Sequence, residues 1–542
     1  MTRNLRIRLF ILGIFTTVSS CSPGLLDQIP KDTMTDESIW TDPQAAAQFI
    51  NGIYGEMPSG FDRNYQGWGK GFYLLDAASD DGDLCFPWTS VEALQTGDFL
   101  PSSSPLPEMW NDYYALVRKA NVALANLDRL PDADTRDRLK GEAYYLRGFV
   151  YQELLRLYGL RSSGDDPTGV PILDKPLTAD DNLQIPRSSY ADVVRFITAD
   201  LDKASILLPD ARETDAGRAT KGAALALKSR VLLYSEQWEE SARAAKEVMK
   251  LDYSLFGDYR TLFLTKNNKE IIFAKKFQSP DKVHFRVNLG WDVINSPRSF
   301  KGPSDAGWGG NVPTQNFVES YEMKDGKSRA DSPLFDETKP FENLDPRFYA
   351  TVVYNGSIFR GHRMEMYEGG ADVTQQPEDS QTGYHTRKFH DEKYPIYSRS
   401  SDQDWIYLRY AEVLLNYAEA QNEASGPDES VYDAVNKVRK RAGMPDLPVG
   451  LSQSELRARI RNERRVELVF EEHRFFDIRR WGIAASVLEG PMYGIRISKT
   501  ASGYTYTRYA FETRHFPARL IVFPIPQSEV DKNPAAKQIA GW

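Results

Sequence analysis

From Asp404 onward the apolar residues Leu408, Ala411, Leu415 and Ala418 recur at helical spacing, and the alanines among them leave room for a second helix to approach closely. A partner begins at a cap, Ser452 or Ser454, with Leu456 and Ile460 four apart. It then becomes densely charged from Arg461 through Glu463, Arg464, Arg465, Glu467, Glu471, Glu472, Arg474, Asp477, Arg479 and Arg480, interleaved with Val466, Leu468, Phe470, Phe475 and Phe476. Such mixing predicts a helix packed on several sides, its charges paired with one another. The same period recurs upstream. Asp42-Pro43 opens a helix with an Ala46, Phe49, Ile50, Ile53 stripe. Helices are predicted over Glu108–Leu130 and Thr135–Tyr158, joined across Pro131-Asp132, and from Ser188 or Ser189 to Leu208. A further pair spans Ala219–Ser235 and Trp238–Leu251, with Ala223, Leu227 and Val231 facing Ala242 and Ala245. The fold class this predicts is mostly α: a tetratricopeptide-like scaffold of helical pairs, mainly 108–251 and 404–481, without a strict repeat period.

Two stretches break the period. Residues 59–107 are rich in Gly, Asp and aromatics, and 256–400 carry only short β-like runs, EIIFAKKF and ATVVYNG, among Gly, Pro and Asp turns. They predict a large loop-rich inserted region with short β-strands. Neither has the composition of a disordered spacer. With 41% hydrophobic residues and 12% aromatic, the chain can bury a large core, and 37–542 is expected to form a single domain.

Residues 1–20 read as a signal peptide: Arg3, Arg6 and Arg8 supply the basic start, Leu9–Val18 the apolar stretch, and Ser19-Ser20 small residues before Cys21. Val18-Ser19-Ser20-Cys21 fits a bacterial lipobox, which makes Cys21 the expected lipidation site, an ordinary secretory cleavage being the other reading. Acyl chains would hold the protein on a membrane, with 21–36 as a tether. The remaining cysteine, Cys85, leaves no internal disulfide and reads as a small buried hydrophobe. A net charge of -9 excludes nucleic acid as an expected partner.

Catalytic signatures are missing. Among six histidines there is no HExxH spacing, and neither GxSxG nor a P-loop occurs. His385 and His390, five apart, are expected to be structural. The run Asp80-Asp81-Gly82-Asp83 lacks the calcium-loop pattern and reads as a solvated turn. No cofactor is expected, though a bound calcium stays open. A pyranose presents a flat C–H face and a rim of hydroxyls, so it is recognised by exposed aromatics beside planar hydrogen-bonding groups. Two loop regions offer them: Trp68, Tyr73, Asp81 and Trp88 in the first, and Trp291, Asn295, Arg298 and Trp308 in the second.

YLRYAEVLLNYAEA, followed by RNERRVELVFEEHRFFDIRRWG, closely resembles the C-terminal signature of the SusD/RagB family, surface glycan-binding lipoproteins of Bacteroidetes. LDQIPKDTMTDESIWTDPQAAAQFINGIY, NFVESYEMKDG, LDPRF and LIVFPIPQSEVDKNP, in that order along the chain, extend the resemblance to almost its whole length. The resemblance implies a helical scaffold on which the loop-rich remainder packs and carries the ligand site. It further implies a surface-exposed outer-membrane lipoprotein that captures oligosaccharide or polysaccharide and delivers it to a SusC-like TonB-dependent transporter, without cleaving bonds. It assigns the signature charges to helix packing. Delivery of peptides or another nutrient, and a secreted glycoside-active enzyme, are the alternatives.

Overall fold

The computed structural model describes residues 36–62, 73–86, 89–162, 166–210, 217–284, 289–302, 306–374 and 379–542. Cys21 and its leader, Trp68 and Trp88 lie outside them.

The expected caps start the expected helices. Asp42 accepts the Ala45 N–H at 2.8 Å ahead of Pro43–Glu56, Asp132 accepts from Thr135 at 2.8 Å ahead of Ala133–Tyr158, and Ser189 accepts from Asp192 at 3.0 Å ahead of Tyr190–Leu207. Thr220 does the same for Lys221–Tyr234, and Ser452 with Glu455 forms a reciprocal cap on Gln453–Glu467. Each helix packs on the next: Pro107–Asn126, Ala133–Tyr158, Tyr190–Leu207, Lys221–Tyr234, Trp238–Met249, then Tyr410–Ser425. The chain thus leaves the helical array after Met249 and rejoins it at residue 410. A buried ion pair, Arg230 with Glu412 at 2.6 Å, spans that junction.

Three expectations about this array need correction. Trp405–Arg409 is a strand, not the start of a helix: it pairs antiparallel with Ile271–Lys275, from Ile271 opposite Arg409 to Lys275 opposite Trp405, and so closes the inserted region. Between the two signature segments, where no element is expected and the stretch reads as a linker, lies the helix Glu429–Arg441, capped by Asp428 and burying Val431, Ala434, Val435 and Val438. The charged signature is two helices, Gln453–Glu467 and Arg474–Arg480. Between them Phe470 and Glu472 take left-handed backbone angles, φ 59° and 62°. The Asp76 carboxylate, itself fully buried, accepts the N–H groups of both residues, at 3.2 and 2.9 Å. The break therefore fastens the loop of residues 74–84 to the scaffold. A long hairpin, Gly490–Thr500 with Gly503–Arg514, follows the second helix.

One hydrophobic core runs from Trp40 to Ile539 and takes in both the helices and the insertion. Cys85 is buried in it, as expected. The signature charges form buried networks. Arg409 donates to Glu270, Glu467 and Glu471 at 2.6–2.8 Å, Arg347 to Asp345, Glu463 and Glu467, and Arg464 to Asp477 at 2.7 Å. Arg479 departs from this pattern: it has no carboxylate partner among the described residues.

Beneath the insertion, Phe61 stacks on His284 at 4.2 Å and meets Trp291, Phe389 and Trp405 at 5.0–5.3 Å. Burial in this aromatic cluster pushes the His284 imidazole down to about 4, from its ordinary 6.5. The folded state therefore keeps His284 neutral while the unfolded chain protonates it, so its contribution to stability is complete above pH 6.5 and falls as pH drops toward 4. Relative to a His284→Phe variant, wild-type stability is expected to fall by about 1.4 kcal/mol per pH unit across that window. Parallel denaturant titrations measure it, and a pH-independent difference would refute it.

Candidate functional site

A short antiparallel pair builds the face on which the predicted loop residues meet. Gly82–Leu84 pairs with Asn311–Pro313, Gly82 opposite Pro313 and Leu84 opposite Asn311, and the Cys85 N–H continues to the Gly310 carbonyl at 3.1 Å. The second strand is approached through Gly307-Trp308-Gly309-Gly310. A Cβ on Gly310, at φ 35°, would stand 2.3 Å from the Asn295 side-chain oxygen, so only glycine lets this loop lie so close to its neighbour. Backbone bonds fix it there: Gly307 to Phe300 at 2.8 Å, Trp308 to Val293 at 3.1 Å and Gly309 to Ser296 at 2.9 Å.

This arrangement holds Trp308 half-buried, with its indole 6.3 Å from the Phe86 ring at 75°. Arg298 is half-buried on the opposing limb of the same loop. Asp379 stands behind them, its carboxylate 3.6 Å from the His385 imidazole and 3.4 Å from where a Gly309 Cβ would be. Burial lowers the pKa of His385, so it presents a neutral ring to that carboxylate.

The other described candidates are structural. Trp291 is 4% exposed and donates its indole N–H to the Lys388 carbonyl at 3.0 Å, which makes it core rather than platform. Asn295 is fully enclosed and braces the glycine loop, its oxygen accepting from the Asn311 backbone at 2.7 Å and the Asn311 side chain at 2.9 Å. Tyr73 is buried with its hydroxyl 3.2 Å from Ser90. Asp81 is fully buried and bound by Arg465 at 2.6 Å.

The reading of Asp80 to Asp83 as a solvated turn is therefore corrected. Asp80, Asp81 and Asp83 are at most 6% exposed. Arg474 grips both Asp80 oxygens at 2.8 Å, and Gln95 donates to Asp83 at 2.9 Å. Burial would raise the Asp80 carboxyl, but Arg465 and Arg474 outweigh it and hold it down at about 2. No contact prevails over burial at Asp83, which is pushed up to about 7 with help from the nearby Glu512 charge. His390 is likewise structural, sharing Asp292 with Arg360.

Of the predicted platform, the structure thus leaves Trp308 and Arg298 half-buried on opposing limbs of one loop, and backs Trp308 with the buried Phe86, a packing partner that sequence reasoning missed. Its place in the sequence, two residues after the Gly82–Leu84 strand, gives no hint of this, since the pairing with Asn311–Pro313 is what brings it to Trp308. Among the described residues no group of three or more His, Cys, Asp or Glu could hold a metal ion.

Comparison with known proteins is consistent along the chain. The family model described as "SusD family" matches residues 269–542, and one described as "Starch-binding associating with outer membrane" matches 81–233. SusD-like protein P38 of Formosa agariphila is 26% identical over 512 residues, covering 91% of this chain and 94% of its own length. A solved SusD-like protein from Bacteroides fragilis superposes with a TM-score of 0.80 at 32% identity, covering 95% of this chain and all of the other. A SusD-like carbohydrate-binding protein from the same species gives 0.79 at 26% identity, covering 92% of this chain and all of its own.

Proposed function

This chain belongs to the SusD family, and on that footing we propose that it binds glycan at the Trp308 face and delivers it to a SusC-like TonB-dependent transporter. The observation that carries the reading is the half-buried Trp308 on a loop braced by three backbone bonds and backed by the buried Phe86, with the half-buried Arg298 on the loop's opposing limb. A fixed indole offers the apolar face a sugar ring stacks on, and a guanidinium across the loop reaches the hydroxyl rim. The carbohydrate-binding relative from Bacteroides fragilis supports the same ligand class.

The protein is a capture module in this reading: it cleaves no bond and needs no cofactor. Lipid on Cys21 anchors it to the outer membrane, facing the cell surface, which agrees with the membrane association named for the family matched at 81–233. Because the platform is open, each contact is weak, and retention comes from repeated contacts along a polymer.

The test is calorimetric titration of the chain from residue 22 onward against plant, host and microbial polysaccharides, with reducing ends assayed in the same samples. Binding without new reducing ends is the expected result. New reducing ends would make the protein an enzyme, and silence across the panel would shift the ligand to peptide or another nutrient.

A further inference from the structure

The cavity between the C-terminal ends of helices Ala133–Tyr158 and Lys221–Tyr234 and the helix Arg474–Arg480 measures about 260 Å³. Arg156, Arg161, Arg479 and Arg480 line it together with Tyr190 and Tyr234, and the rest of its described wall is apolar or glycine. Among the described residues no carboxylate lines it. Three of the four guanidiniums have counter-ions behind the wall: Arg156 pairs with Glu153 at 2.6 Å, Arg161 with Glu236, and Arg480 with Glu419 at 2.6 Å and Asp477 at 2.7 Å.

Arg479 has none among the described residues. It donates only to two backbone carbonyls, Phe475 at 2.7 Å and Leu520 at 3.3 Å, and its guanidinium lies 3.5 Å above the Phe475 ring. Burial alone pushes it down to about 9, far below the usual arginine range. A second observation lies in the same wall. The Tyr234 hydroxyl, on a side chain 8% exposed, has no hydrogen-bond partner among the described residues, nor has the buried Nε of Arg156. A desolvated cation without a counter-ion and an unpaired buried hydroxyl are each costly, and one anion would relieve both.

We propose that this cavity binds a small carboxylate carried on an apolar body, an aromatic or short aliphatic acid. The guanidiniums of Arg479 and Arg480 and the Tyr234 hydroxyl donate to the carboxylate, and the apolar body rests on the aliphatic and Phe476 wall. At 260 Å³ the cavity falls just short of the drug-sized range and suits a single ring. It shares no lining residue with the Trp308 face.

Isothermal titration of the purified protein with benzoate at constant ionic strength, with uncharged benzyl alcohol as the control, tests this. Saturable one-to-one binding of benzoate but not of benzyl alcohol is expected. Affinity should fall about tenfold in both Arg479→Met and Tyr234→Phe, while glycan binding is unchanged. Should Arg479→Met fail to fold, Tyr234→Phe, which deletes a hydroxyl without a hydrogen-bond partner among the described residues, carries the test. No saturation with benzoate, equal binding of benzyl alcohol, or wild-type benzoate affinity in Tyr234→Phe would overturn the proposal.

Discussion

Glu467→Ala is expected to lower the unfolding free energy by about 3–5 kcal/mol, read from guanidinium denaturation at neutral pH. Glu467 is fully buried and accepts from Arg409 at 2.6 Å, Arg347 at 3.0 Å and Arg441. Burial by itself would raise its carboxyl, but the three guanidiniums outweigh that and hold it well below the carboxylate range. Removing it leaves Arg347, Arg409 and Arg441 sharing the remaining acids Asp345, Glu270, Glu463 and Glu471, of which Glu463 is also held by Arg439 and Glu471 by Lys388, so five enclosed cations draw on these four acids. That imbalance, more than the lost bonds, sets the size of the effect, because an unpaired charge in the interior has no water to turn to. A loss under about 1 kcal/mol, the range of an exposed pair, would mean that solvent enters the network and that these charges do not hold the insertion to the scaffold.

Trp308→Ala is expected to weaken glycan binding by roughly tenfold or more, about 1.4 kcal/mol, and to leave the denaturation midpoint close to that of wild type. The two readouts separate because the indole is half-buried while its loop is held by backbone bonds that the substitution does not touch. Trp291→Ala should show the opposite pattern, a loss of stability, since that ring is packed among Phe61 and Phe389. Unchanged glycan affinity in Trp308→Ala, measured on the polysaccharide that wild type binds best, would remove this loop from the ligand site.

Local chemistry made much of the scaffold legible. Asp42-Pro43, Asp132, Ser189, Thr220 and Ser452 each satisfy the first N–H groups of a helix from within a few residues, so their role needs no distant partner. The Glu429–Arg441 helix was equally readable, from the Asp428 cap and the Val431, Ala434, Val435, Val438 stripe. So was the hairpin, whose GYTYTRYAFETR limb alternates polar and aromatic residues.

What the sequence determined by itself is the helical array, the buried pairing of most signature charges and the family to which the chain belongs. Only the tertiary structure decided three further matters. Trp405–Arg409 became a strand because Ile271–Lys275 lies beside it, and the same apolar run would otherwise continue the helix that follows. The Asp80–Asp83 run became core because Arg465 and Arg474 come from nearly four hundred residues away to neutralise it. Of the described tryptophans proposed as platform, Trp291 went inside and Trp308 stayed at the surface, although both sit beside glycines in the same loop region. Caps and stripes act over one or two turns, whereas exposure of a loop side chain depends on which distant segments cover it.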